Sequence, residues 1–142
     1  MSTLQTIIDD FEYLEDWEDR YRYLIEIGKA LPDMPESEHV EENKVKGCAS
    51  QVWLVAETRP GDPGDPVMIY RGDSDAHIVR GLVAVVLAAT SGQKASAVET
   101  LDEAALMAQL GLGEHLSTQR ANGLRSMVLR IKAHAAAARA TA

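Results

Sequence analysis

Residues 51–72 read QVWLVAETRPGDPGDPVMIYRG, and the fold class turns on how they are parsed. From Gln51 to Thr58 the chain is β-branched or apolar, with Trp53 inside the run. Such composition suits a pleated, half-buried strand. The next eight residues, RPGDPGDP, are rich in proline and glycine, which mark a turn or loop. VMIYRG then reads as a second strand, so the stretch predicts an antiparallel hairpin. A short strand near Lys44–Lys46 is the expected third member of the sheet.

Working outward, GDSDAHIVRGLVAVVLAATSG follows at residues 72–92. Ser74 and Asp75 are cap-type residues. Ile78, Leu82, Val85, Val86 and Ala89 then share a helical face, and the segment is apolar nearly all round after Gly81. That pattern predicts a buried helix on the hairpin, ended by Gly92. Upstream, Ser2 with Gln5 reads as a capping box before Leu4, Ile7, Ile8, Phe11 and Leu14 at helical spacing. Asp16 caps a second helix carrying Trp17, Tyr21, Leu24, Ile25 and Leu31, stopped by Pro32. PDMPESEHVEEN has two prolines, five acids and no period, so it reads as an exposed loop. Downstream, Ser96 with Glu99 forms another capping box ahead of a short helix through Leu106 to Leu110. Ser117 caps a last helix whose inner stripe is Leu124, Met127, Val128 and Ile131. Helices, a small antiparallel sheet and helices again make an α+β fold, expected as one domain over residues 1–142.

The formal net charge is −8 with a pI near 4.9. Acidity of that order argues against nucleic acid and against an anionic membrane surface as partners. The charge is polarised. Thirteen acids and only Arg20, Arg22 and Lys29 lie from Asp9 to Glu42, whereas five bases and no acid lie from Arg120 onward. Two solvated helix faces account for this; a surface that orients a protein partner would use it. The longest apolar run, Leu82–Ala89, has eight residues, too few to span a bilayer. The start MSTLQTIIDDF lacks the basic residues and long apolar segment of a secretory signal. One cysteine permits no internal disulfide, and a free thiol suits a reducing compartment, so a cytoplasmic location is expected.

That cysteine, Cys48, sits in NKVKGCASQVWLV. Most single cysteines are small buried hydrophobes. Three features here favour chemistry. Gly47 permits unusual backbone and close approach. Ser50 and Gln51 make the surroundings polar. Lys44 and Lys46 share a side with Cys48 if the segment is extended, and nearby positive charge favours thiolate. Burial would do the reverse. Antiparallel pairing also brings Cys48, before the first strand, close to Gly72, at the end of the second. GCASQ and GDSDAH are therefore expected as neighbours, with the start of the long helix directed at the thiol.

Competing chemistry has little support. His77, in the first turn of that helix, would be the partner of Cys48 in a cysteine hydrolase, yet no oxyanion-hole motif or third orienting residue accompanies it. His39, His115 and His134 stand in unrelated contexts. One cysteine and four scattered histidines lack the spacing of a zinc or iron–sulfur site, and there is no phosphate loop.

Three motifs in order, GCASQVW, GDSDAHIVRGLVAVV and LSTQRANGLRSM, resemble SufE-type sulfur acceptor proteins, and WEDRYRYLIEIGKALP extends the likeness over almost the whole chain. The resemblance implies an α+β fold similar to iron–sulfur scaffold proteins. It implies a role beside a SufS-type, pyridoxal-phosphate-dependent cysteine desulfurase, with no cofactor or metal on the acceptor itself. It makes Cys48 the persulfide acceptor. Gly47, Ser50, Gln51 and Trp53 belong to the first motif, Asp73, Ser74, Asp75 and His77 to the second, and Arg120, Asn122 and Gly123 to the third. Beyond Cys48 these are supporting or partner-binding residues at most: Trp53 also reads as packing, Ser74 and Asp75 as helix caps, and Arg120 as a surface residue poorly placed for the helix dipole.

The implied reaction is exchange at sulfur. A Cys48 thiolate takes the outer sulfur of a donor persulfide, activates the desulfurase and relays sulfur to an iron–sulfur scaffold. An allosteric binding module, or a carrier to another pathway, is the alternative. Because a persulfide is open to oxidation, Cys48 is expected to be sheltered in the free protein and to swing out on docking.

Overall fold

The structure is a computed structural model that describes residues 3–142. Thr3 caps helix α1 (Leu4–Tyr13) by accepting a hydrogen bond from Thr6 N. The cap expected from the sequence, Ser2, lies outside the described residues. Asp16 caps α2 (Trp17–Lys29), accepting from Glu18 N, and the helix ends three residues before Pro32. Ile7, Ile8, Phe11, Leu24 and Leu31 are buried, so the helical spacing of apolar residues does mark the inward faces. Two short 3-10 turns, Glu36–Glu38 and Glu41–Asn43, punctuate the acidic loop that follows.

Strands β1 (Val52–Asp62) and β2 (Asp65–Ser74) pair antiparallel, with Trp53 opposite Asp73 and Leu54 opposite Gly72. The proline-rich segment was expected as an eight-residue loop. Instead the strands run on through it to Asp62 and Asp65, with an irregular register between Arg59 and Asp62. A bulge lets a strand carry a proline, because the ladder bond that the missing N–H would make is already interrupted there. The tip is tied down by Asp65, which accepts from Ser96 N at 2.9 Å, and by Lys94 on Asp62.

The third strand is β3 (Gln93–Lys94), on the far side of β2. This corrects the expectation for Lys44–Lys46. That segment makes a single bridge, Lys44 to Trp53, with Val45 N donating to Val52 O at 2.8 Å. Gly47, with φ +89°, then turns the chain away and the ladder cannot continue.

Helix α3 (His77–Thr90) is buried from Gly81 to Leu87 and packs on β2 and α2. Its start corrects a second expectation. Ser74 ends β2 and Asp75 follows it; the N-cap position is Ala76, which makes no side-chain cap. Ser96 likewise lies inside α4 (Ala95–Glu99), spent on Asp65, and the cap of α5 (Glu103–Leu110) is Asp102, accepting from Ala105 N. Ser117 caps α6 (Thr118–Thr141) as expected, accepting from Arg120 N at 3.2 Å. Leu124, Met127, Val128 and Ile131 face the core. Among the described residues no helix is long and apolar enough to cross a membrane.

Candidate functional site

Cys48 stands on residues 46–51, a loop whose two ends are pinned together. The Val45–Val52 hydrogen bond and the Lys44–Trp53 bridge close its base. The far end is held by the junction of β2 and α3. Gln51 N donates to Asp75 Oδ1 at 3.0 Å, Asp75 N donates to Gln51 O at 3.2 Å, and Ser74 Oγ donates to Gln51 O at 2.8 Å. Ser74 Oγ in turn accepts from Ala76 N. The sequence motifs GCASQ and GDSDAH therefore do meet, and Ser74 and Asp75 are anchors of the cysteine loop rather than caps.

Gly47 is required here by its backbone. At φ +89° a side chain would be strained, and a Cβ would lie 2.6 Å from Ser126 Oγ on α6. The resulting close approach seats the next residue on the same helix. The Cys48 sulfur lies 3.5 Å from the carbonyl oxygen of Gly123, to which its thiol donates. A Cβ on Gly123 would stand 3.5 Å from that sulfur, an ordinary contact, so the sulfur rests close against the backbone of α6.

The thiol is half-buried and opens into a pocket of about 330 Å³. Ala49 and Ser50 line one side. Val79 and Leu82 of α3 and Leu124 and Met127 of α6 form an apolar floor. Gln119 and Arg120, exposed in the first turn of α6, stand at the rim, and Arg120 has no ion pair among the described residues. The first turn of α3 reaches the pocket through the apolar Val79, while the hydrogen-bond partner of the sulfur comes from α6.

Burial raises the Cys48 pKa above its ordinary value, favouring the neutral thiol. Of the two opposing effects that the sequence leaves open, burial outweighs the nearby charge of Lys44 and Lys46. Lys46 is exposed and paired with Glu41. His77 is exposed at the start of α3 and lines no part of the pocket, so a Cys48–His77 pair is not assembled. No group of three or more His, Cys, Asp or Glu among the described residues is placed to hold a metal.

Sequence reasoning passed over His39. It sits at the base of the loop, its ring 4.5 Å from the half-buried Trp53, its Nε2 2.6 Å from Asp73 and its Nδ1 3.1 Å from Glu36. Thirty-four residues separate His39 from Asp73, and no periodicity or spacing links them; the hairpin register, with Asp73 opposite Trp53, is what makes them neighbours. Arg130, also unremarked in the sequence, donates to the carbonyls of Lys44 (3.2 Å) and Glu42 (2.6 Å), fastening the approach to the loop onto α6.

This geometry agrees with what the chain is similar to. The family model described as the SufE Fe-S metabolism associated domain matches residues 5–135. An uncharacterised SufE-like protein of Rhizobium etli is 61% identical over 135 residues, which cover 95% of this chain and 90% of that protein. A second SufE-like protein, from Rhizobium meliloti, is 59% identical over 95% of this chain and 96% of its own. The sulfur acceptor protein CsdE of Escherichia coli is 38% identical over 128 residues, covering 88% of this chain and 82% of CsdE. Among solved structures, a hypothetical protein of Thermus thermophilus, at 22% identity, has the same fold, with a TM-score of 0.75 over 95% of this chain and 94% of that one. With a family match across nearly its whole length and relatives this similar, the chain belongs to the SufE family.

Proposed function

We propose that the protein is a sulfur acceptor that takes persulfide sulfur from a cysteine desulfurase onto Cys48. The observation that carries this reading is the seating of the thiol. The one cysteine of the chain is presented on a loop pinned at both ends, in an open pocket, with a single weak hydrogen bond to leave behind. A structural cysteine would lie sealed in the core; a hydrolytic one would have a base in reach.

The chemistry is an exchange in which atoms and electrons balance. Cys48, as thiolate, attacks the outer sulfur of the donor persulfide. The donor's S–S bond breaks, a new S–S bond forms on Cys48, and the donor cysteine leaves as thiolate. No external oxidant or reductant is consumed. Attack on the inner sulfur would give a mixed disulfide and deliver nothing, so docking must fix which atom is met. The raised pKa sets a further condition. Burial on the apolar floor disfavours the thiolate, so a partner that draws the loop out both exposes Cys48 and favours its ionisation. The pocket left behind shields the acceptor from oxidants between encounters.

The partner that suits this chemistry is a SufS-type desulfurase carrying pyridoxal phosphate, the recipient an iron–sulfur scaffold, and the compartment the cytoplasm. CsdE, a sulfur acceptor by name, supports the class of reaction. The test is desulfurase turnover, followed as alanine released from free cysteine, with wild-type chain and with Cys48→Ser. Stimulation by the wild type that vanishes in the variant supports transfer. Full stimulation by Cys48→Ser would make the chain an allosteric module instead.

A further inference from the structure

We propose that His39 is a positioning residue for the Cys48 loop: as imidazolium it clamps the loop's base to Asp73, and its deprotonation loosens that base and frees the thiol. The inference rests on the sulfur-acceptor reading for its meaning, but its geometry stands alone.

Both ring nitrogens of His39 face carboxylates, Asp73 at 2.6 Å and Glu36 at 3.1 Å. A carboxylate accepts and does not donate, so both contacts are satisfied together only when both nitrogens carry hydrogens. The side chains of His39 and Asp73 are each 15% exposed, while Glu36 is 94% exposed. The contact that matters is therefore the one to Asp73. Around it, Arg80 of α3 places Nε 3.4 Å from Asp73 Oδ1 and lies 3.6 Å from Asp33. Asp75 faces the same recess from the end of β2, and Glu38 is taken up by Arg71. The hydrogen bond to Asp73, and after it the one to Glu36, raises the His39 pKa above its ordinary value. The clamp is thus complete below the ordinary imidazole range and weakens as pH rises through the raised value, where the charge and the second donor are lost.

The mechanical link is short. Trp53 is bridged to Lys44 on one side and paired with Asp73 on the other. His39 covers its ring and holds the paired residue. Residues 39–45 lead directly from this clamp to the closing bond at Val45. The remaining fastenings, Arg71 on Glu38 and Arg130 on two carbonyls, keep their charge across neutral pH. Loss of the His39 proton leaves one N–H, which still donates to Asp73, but it breaks the Glu36 contact and removes the charge assistance from the Asp73 bond, so the effect is graded rather than all-or-none.

The experiment measures the alkylation rate of Cys48 by iodoacetamide in the isolated chain from about pH 6 to pH 9, divided at each pH by the rate of a small free thiol in the same buffer, which removes the ordinary effect of pH on a thiol. The titration of His39 is followed by NMR in the same samples. The normalised wild-type rate should rise about fivefold, in step with the imidazole. His39→Gln should be flat at the high level, and His39→Arg, which keeps its charge, flat at the low level. A wild-type profile with no step while His39 titrates, or a step that survives in His39→Gln, overturns the proposal. No desulfurase is involved, so this failure is distinct from failure of sulfur transfer.

Discussion

Replacing Gly123 by alanine tests the seat of the thiol, and the structure sets opposite signs for two consequences. Gly123 lies inside α6, and its backbone is ordinary helix. Alanine in a helix interior is favoured over glycine by about 0.5–1 kcal/mol. The added Cβ meets the Cys48 sulfur at 3.5 Å and its Cα and Cβ at 3.8 Å, which are normal contacts and not clashes. The variant should therefore be more stable, by about 1–4 °C in Tm for a chain of this size. The same methyl group is covered by Cys48 only while the loop is seated. Withdrawing the loop exposes it, at a cost of up to about 0.8 kcal/mol for one buried carbon. Alkylation of Cys48 at fixed pH should slow by up to about fourfold, and sulfur acceptance with it. Calorimetry and a thiol-modification time course read the two effects. A loss of stability, or unchanged alkylation, would refute the placement of the sulfur against α6.

Other variants probe the frame around that seat. In Gly81→Ala the new Cβ would fall 2.2 Å from Leu24 O, where α2 and α3 touch backbone to backbone, so urea unfolding should show a loss of about 3 kcal/mol or more, or no folded protein. Tyr70→Phe removes the buried hydrogen bond from the phenol to Ile131 O, 2.8 Å long, and should cost about 1 kcal/mol by the same measure. Two histidines should shape the pH dependence of stability in opposite directions. Burial, and then Arg130, lowers the His134 pKa, so its contribution is present above the ordinary imidazole value and is lost as pH falls through the lowered one. His39, raised by Asp73, contributes at low pH and loses its contribution as pH rises. Unfolding curves of His134→Gln and His39→Gln across this range should separate the two, and parallel curves would contradict the assignment.

How much of this was legible in the sequence depended on the reach of each interaction. The hairpin, the apolar α3, and the caps Asp16 and Ser117 are written in residues close in sequence, and they are where expected. Pro60 and Pro66 misled because their local preference for a turn is overridden by a bulge, which the tethers from Lys94 and Ser96 hold in place. Ser74 and Ser96 look like caps by type, but their hydroxyls are claimed by Gln51 and Asp65 from distant segments. Cys48 was identifiable by resemblance, whereas its raised pKa was not, since its cause is burial against α3 and α6, segments far from it in sequence. His39 carried no signal at all until the register placed Asp73 beside Trp53.

The central claim is that Cys48 receives a sulfur atom from another protein's persulfide. Its most direct test is the intact mass of the chain after incubation with a cysteine desulfurase and free cysteine, before and after reduction. The account predicts a gain of one sulfur atom that maps to Cys48, is removed by reductant, and is absent from Cys48→Ser. An unchanged mass while the desulfurase turns over in the same tube would contradict it.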